Sequence, residues 1–110
     1  MVMANIKDYC SEKLSKLLGE KGYDFGMAAK FADDYGYPRC SYWDALAWLR
    51  DEHHIFIDLG LGEDDEGFFW FYDIIPMSDE IDIKDVPEES FVEFKDAVEN
   101  AIKYTVENLI

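Results

Sequence analysis

The stretch Arg50–Ile57, RDEHHIFI, carries the residue types best suited to chemistry: two adjacent histidines behind two acids, running into an apolar tail. Such histidines could bind a metal or move a proton. Their spacing argues against a metal. Neighbouring side chains on a helix point about 100° apart, whereas a helical zinc site needs its histidines at i and i+4. His53 follows Leu46 and Leu49 on one helical row, so it reads as a packed side chain. His54 falls where the helix must turn into a strand, and histidine is among the residues that tolerate the left-handed backbone found there. Cys40 lies just before a helix entry, where a thiol pKa can fall. Paired with His53 or His54 it would make the nucleophile and base of a small hydrolase. No local signature supports that pairing, and an ordinary small residue at a helix entry is the stronger reading. Cys10 falls on an apolar face and reads as core.

The carboxylates invite other chemistry. A calcium loop of the EF-hand type wants oxygen ligands at its first, third, fifth and twelfth positions and glycine at the sixth. Counted from Asp79, those positions hold Ile81, Ile83 and Lys84, so the motif is absent. A carboxylate pair for glycoside cleavage would need a cleft that a short chain with one hairpin hardly offers. No glycine-rich phosphate loop is present. We expect no catalytic residue, no metal and no cofactor.

Charge is the stronger signal. The 110 residues carry a net charge of −15, and residues 63 to 89 hold eleven acids against the single base Lys84. Two thirds of the excess negative charge therefore sits in about a quarter of the chain. Such a field repels phosphates and attracts basic surfaces or cations, which argues against direct nucleic-acid binding. The aromatic run FFWFY (68–72) could stack bases, but the surrounding charge has the wrong sign. The acids singled out as an interaction surface are Glu63, Asp64, Asp65, Glu66, Asp79, Glu80, Asp82 and Asp85, expected as one patch around a hairpin tip and the link after it.

The elements that would position these residues follow from periodicity. Residues 4–21 place Ile6, Tyr9, Cys10, Leu14, Leu17 and Leu18 on one helical face, with Gly22 ending the helix in left-handed backbone. Residues 27–35 could form a short helix, followed by a turn or extended piece before Cys40. Ser41 and Asp44 read as a capping box for a helix over 41–53, with Tyr42, Ala45, Leu46, Leu49 and His53 inward. From Ile55 the period drops to two, and Ile55, Ile57, Leu59 and Leu61 alternate as the inner row of a strand. GEDDEG (62–67) closes a hairpin with a glycine at each end, and FFWFYDII (68–75) returns, too aromatic on both faces for its inner face to be read. Both faces of the hairpin are expected to be partly covered. A brief third strand over 81–83 is a further expectation. Ser90 with Glu93 reads as a second capping box for a helix over 90–109, with Phe91, Phe94, Val98, Ala101, Ile102, Thr105 and Leu109 inward. This predicts one α+β domain over 1–110: helix, short helix or extended piece, helix, an antiparallel hairpin of two or three strands, and a C-terminal helix packed on the sheet. A two-stranded hairpin alone is marginal in water, so the helices must cover it.

At SYWDALAWLRDEHHIFIDL and SFVEFKDAVENAIKYTVENLI the chain resembles a group of small proteins encoded by phages and mobile elements of gut bacteria. Trp48, Leu49, Arg50, His53 and Ile55 match a WLR-x-x-His-x-Ile helix end that leads into a hairpin. Phe94, Ala97, Ala101, Ile102, Tyr104, Glu107, Asn108, Leu109 and Ile110 match the closing helix of that group. His54 departs from the pattern, which has asparagine there. The resemblance covers roughly the second half of the chain. It implies a fold and a genetic setting, and no mechanism.

Apolar residues make up 49% of the chain and aromatics 16%, enough for a packed core without disulfides or metal. No apolar run approaches a membrane span or a signal-peptide core, which points to a cytoplasmic protein whose two cysteines are free thiols. The leading expectation is a non-enzymatic interaction module that engages a basic surface on a host or phage protein. Its sharpest version mimics nucleic acid, with carboxylates spaced like phosphates. The competing expectations are a small hydrolase using Cys40, His53 and His54, and a structural homo-oligomer, such as a homodimer through the hairpin edge.

Overall fold

The computed structural model describes residues 9–26, 38–83 and 86–110. Among them the order is α1 (Glu12–Glu20), α2 (Tyr42–His53), β1 (Ile55–Asp64), β2 (Gly67–Pro76) and α3 (Phe94–Asn108). β1 and β2 form a two-stranded antiparallel hairpin, paired from Ile55–Pro76 at its base to Asp64–Gly67 at its tip. The α+β reading holds. The segment 27–35, where a short helix was expected, lies outside the described residues, as do Ile6 and Asp85.

α1 begins later than the apolar spacing suggests. The Ser11 hydroxyl accepts from the Leu14 amide at 3.1 Å, which caps the helix and stops it from continuing upstream. The Glu99 carboxylate of α3 accepts from the Ser11 amide at 2.6 Å, a second cap supplied from 88 residues away. Tyr9 and Cys10 are consequently extended: Tyr9 bridges Ser41, and the Cys10 amide donates to the Cys40 carbonyl at 2.8 Å. At the other end Gly22 takes a φ of 103°, its amide reaching Gly19 and the Tyr23 amide reaching Leu18. These crossed bonds close the helix as the sequence indicated.

α2 starts as expected, the Ser41 hydroxyl accepting from the Asp44 amide at 3.0 Å. Tyr42, Ala45 and Leu49 are buried, Leu46 and Trp48 half-buried, and Trp43 is exposed. His54 ends the helix at φ 56° and ψ 38°, its amide donating to the Leu49 carbonyl. Its own carbonyl accepts from Met77 at 2.8 Å, which fastens the base of the hairpin to the helix end.

Ile55, Ile57, Tyr72 and Ile74 face the helices and are buried with Cys10, Leu14, Leu18, Leu49, Val98, Ala101, Ile102 and Val106. α2 lies against β1 and α3 against β2, all on this one face. The inner row fades toward the tip: Leu59 is half-buried and Leu61 is 54% exposed, because the hairpin extends beyond the helices. The tip also differs from the expected two-glycine turn. Only Gly67 takes positive φ, at 123°, while Gly62 is an ordinary strand residue opposite Phe69. Asp65 and Glu66 keep negative φ, so the reversal is not of the primed kind, and Gly67 supplies the twist that returns the chain.

Among the described residues no element covers the outer face of the hairpin. Phe56, Asp58, Asp73 and Ile75 are exposed there. Phe71 and Phe69 instead fold across the strand onto Gly60 and Gly62, their rings occupying the space a Cβ would take. That explains two glycines inside a strand, where their entropy is otherwise a cost.

Two further expectations fail. Residues 81–83 form no strand, although Ile81 and Ile83 pack against the core. Ser90 and Glu93 form no capping box, and α3 starts only at Phe94 with no side-chain cap. The late start of α3 goes with a pair of bonds invisible to local pattern: the Trp70 amide donates to the Phe91 carbonyl at 2.7 Å, and the Phe91 amide to the Trp70 carbonyl at 2.8 Å. This isolated bridge holds Phe91 extended and delays the helix by a turn.

Candidate protein-interaction surface

The nucleophile and bases that the competing hydrolase reading would need are kept apart. Cys40 precedes the first residue of α2 and His53 is its last, so a helix roughly 18 Å long separates them. His53 lies edge-on to Trp48, ring centroids 4.5 Å apart, in an aromatic group that includes Tyr23 and Phe25. His54 is exposed and serves the helix end. Cys40 is 4% exposed and hydrogen-bonds the fully buried Cys10. That bond lowers the Cys40 thiol pKa and, together with burial, pushes Cys10 up. A buried thiol with its partner already in place offers no route to a substrate. Among the described residues no cluster of three or more His, Cys, Asp or Glu is placed to hold a metal.

The acids named from sequence do not form one patch. Glu63, Asp64, Asp65 and Glu66 cap the hairpin tip, where the Asp64 carboxylate accepts from the Glu66 amide at 2.8 Å. Asp79, Glu80 and Asp82 follow Pro76 at the hairpin base. Strands of ten residues put these groups roughly 30 Å apart. All seven are exposed. The single patch is thus corrected to two clusters at opposite ends, because the chain returns along the full length of β2 before the second acidic run begins.

What lies between them was missed. The segment from Val86 to Phe91 runs beside the edge of β2 that faces away from β1, pairs with it only at Trp70, and leaves a cavity of about 630 Å³. Phe71, Tyr72, Ile83 and Val86 supply its apolar walls, and Asp73, Glu88 and Glu89 its charge. Burial raises the Tyr72 hydroxyl pKa, and the nearby Glu89 carboxylate raises it further. These three acids form a third group beside β2, around a cavity whose lining includes neither the tip acids nor Asp79, Glu80 or Asp82. In the sequence they counted only toward net charge, since nothing local shows that residues 88 and 89 return to β2. The tip adds apolar surface: Phe68 is 67% exposed, beside exposed Leu61 and the four tip acids.

Comparison with known proteins finds no matching family model, no similar curated protein and no similar solved structure. No helix among the described residues is long and apolar enough to cross a membrane.

Proposed function

We propose that this protein is a non-enzymatic interaction module that recognises a basic surface on another protein. The observation that carries the reading is the run of exposed acids along the hairpin: Glu63–Glu66 beside exposed Leu61 and Phe68 at the tip, Asp73, Glu88 and Glu89 around the cavity next to β2, and Asp79, Glu80 and Asp82 after its end. Exposed carboxylates of one sign raise the rate and selectivity of encounter with a basic partner, and adjacent aromatics supply the contact area that holds it. The spread of the acids over a roughly 30 Å length, with apolar groups among them, favours recognition of a protein over imitation of a phosphate backbone. The genetic setting of phages and mobile elements in gut bacteria, and a cytoplasmic location, are part of the same proposal and rest on the resemblance and on the free thiols.

The test is affinity capture from a gut bacterial host during infection, with the native chain and a variant carrying Asp64→Asn, Asp65→Asn and Glu66→Gln beside Glu88→Gln and Glu89→Gln. A specific partner retained by the native chain, lost by the variant and released at several-fold higher salt supports the reading. A partner held equally by both chains and indifferent to salt rejects it.

A further inference from the structure

We infer that the outward edge of β2 at Tyr72 and Ile74, next to the Trp70–Phe91 bridge, takes up a basic, extended peptide segment as an added strand. The inference rests on the interaction reading above and names the chemistry of its partner. In an antiparallel strand the amide and carbonyl of one residue point to the same side, and successive residues alternate. The two bonds between Trp70 and Phe91 show that Trp70 points away from β1. Tyr72 and Ile74, two and four residues on, must point the same way. Phe71 and Asp73 point back toward Gly60 and Asp58 of β1. Among the described residues no backbone group pairs with the outward amides and carbonyls of Tyr72 and Ile74. An edge of this kind is a template for another strand, and proteins usually blunt or cover it. Here the covering segment touches at Phe91 and then departs, leaving the cavity where the next pairs would form. Its volume is in the range of peptide and ligand sites. The charge of its rim decides the occupant. Asp73, Glu88 and Glu89 face a strand inserted at this edge, so lysine or arginine on that strand finds partners and an acidic or self-derived strand is repelled. The same repulsion disfavours pairing of two copies through β2.

The probe is a capped hexapeptide of alternating lysine and valine, added to the whole protein while amide hydrogen exchange is followed by NMR. The Tyr72 and Ile74 amides should slow by about tenfold at a peptide concentration ten times its Kd, with Phe71 and Asp73 little changed. The same peptide methylated on alternate backbone nitrogens keeps its charge but loses its donors, and should give no such protection. The variant Asp73→Asn, Glu88→Gln, Glu89→Gln changes only exposed side chains and should bind the hexapeptide several-fold more weakly. Equal binding of both peptides, or binding without protection of Tyr72 and Ile74, overturns strand addition. If acid-dependent capture of a host partner persists while those amides stay unprotected, strand addition alone is wrong. If the edge is protected but no acid-dependent partner is captured, strand addition stands and the broader reading falls.

Discussion

Replacing His54 by glycine should stabilise the protein, although it removes one of only two histidines. His54 sits at φ 56° and ψ 38°, the sole non-glycine positive φ among the described residues. Left-handed backbone costs a residue with a Cβ about 1–2 kcal/mol. Glycine removes that cost, but its freer unfolded chain returns about 0.5–1 kcal/mol of it. The His54 side chain is exposed, and among the described residues no side-chain hydrogen bond from it opposes the change. The net expectation for His54→Gly is a gain of about 0.5–1 kcal/mol. With an unfolding entropy of roughly 2.1 cal/mol/K per residue over 110 residues, that raises Tm by about 2–4 °C. His54→Asn should be neutral or slightly stabilising, since asparagine is among the residues that tolerate left-handed backbone. His54→Val should cost about 1 kcal/mol or more, since β-branching makes this backbone region worse. Thermal and urea unfolding of the four proteins supply the values. A loss of more than about 1 kcal/mol in His54→Gly would show that the imidazole is held by favourable contacts, and the framework role argued for it would be wrong.

Three more outcomes are expected. Asp58 and Asp73 stand directly opposite each other on the exposed face of the hairpin, so Asp73→Thr should stabilise by about 0.2–1 kcal/mol, with the gain shrinking as salt is added during urea denaturation. Glu99→Ala leaves the Ser11 amide without its carboxylate and should cost about 1–2 kcal/mol, with exchange of the first α1 amides accelerated before that of α2. Burial against Phe25 and Trp48 pushes the Tyr23 hydroxyl up to about 12, with nearby negative groups adding to it. A raised folded pKa means stability is full below the unfolded value near 10 and is lost as pH rises toward the folded one. Urea midpoints should therefore fall between about pH 10 and 12, and Tyr23→Phe should flatten that decline; an unchanged slope would remove Tyr23 as its cause.

The sequence by itself determined the local elements. Gly22, Ser41 and His54 mark helix ends through groups a few residues away, and the alternation from Ile55 sets the inner row of β1 at its base. Such signals are legible because hydrogen-bond partner and backbone geometry lie within one or two turns. The α+β order and the dismissal of the histidines followed from them. Tertiary structure decided everything that depends on distant partners. Glu99 and Cys40 fixed where α1 begins, and Phe91 gave up a helical turn to bridge Trp70. The packing of α3 selected Tyr72 and Ile74 as the inner face of β2, a choice that a strand aromatic on both sides leaves open. The candidate surface belongs to this second class. Its acids were countable from composition, but a strand of ten residues carries one group about 30 Å from the other, and only the return of residues 86–91 to the edge of β2 brings Asp73, Glu88 and Glu89 around one cavity.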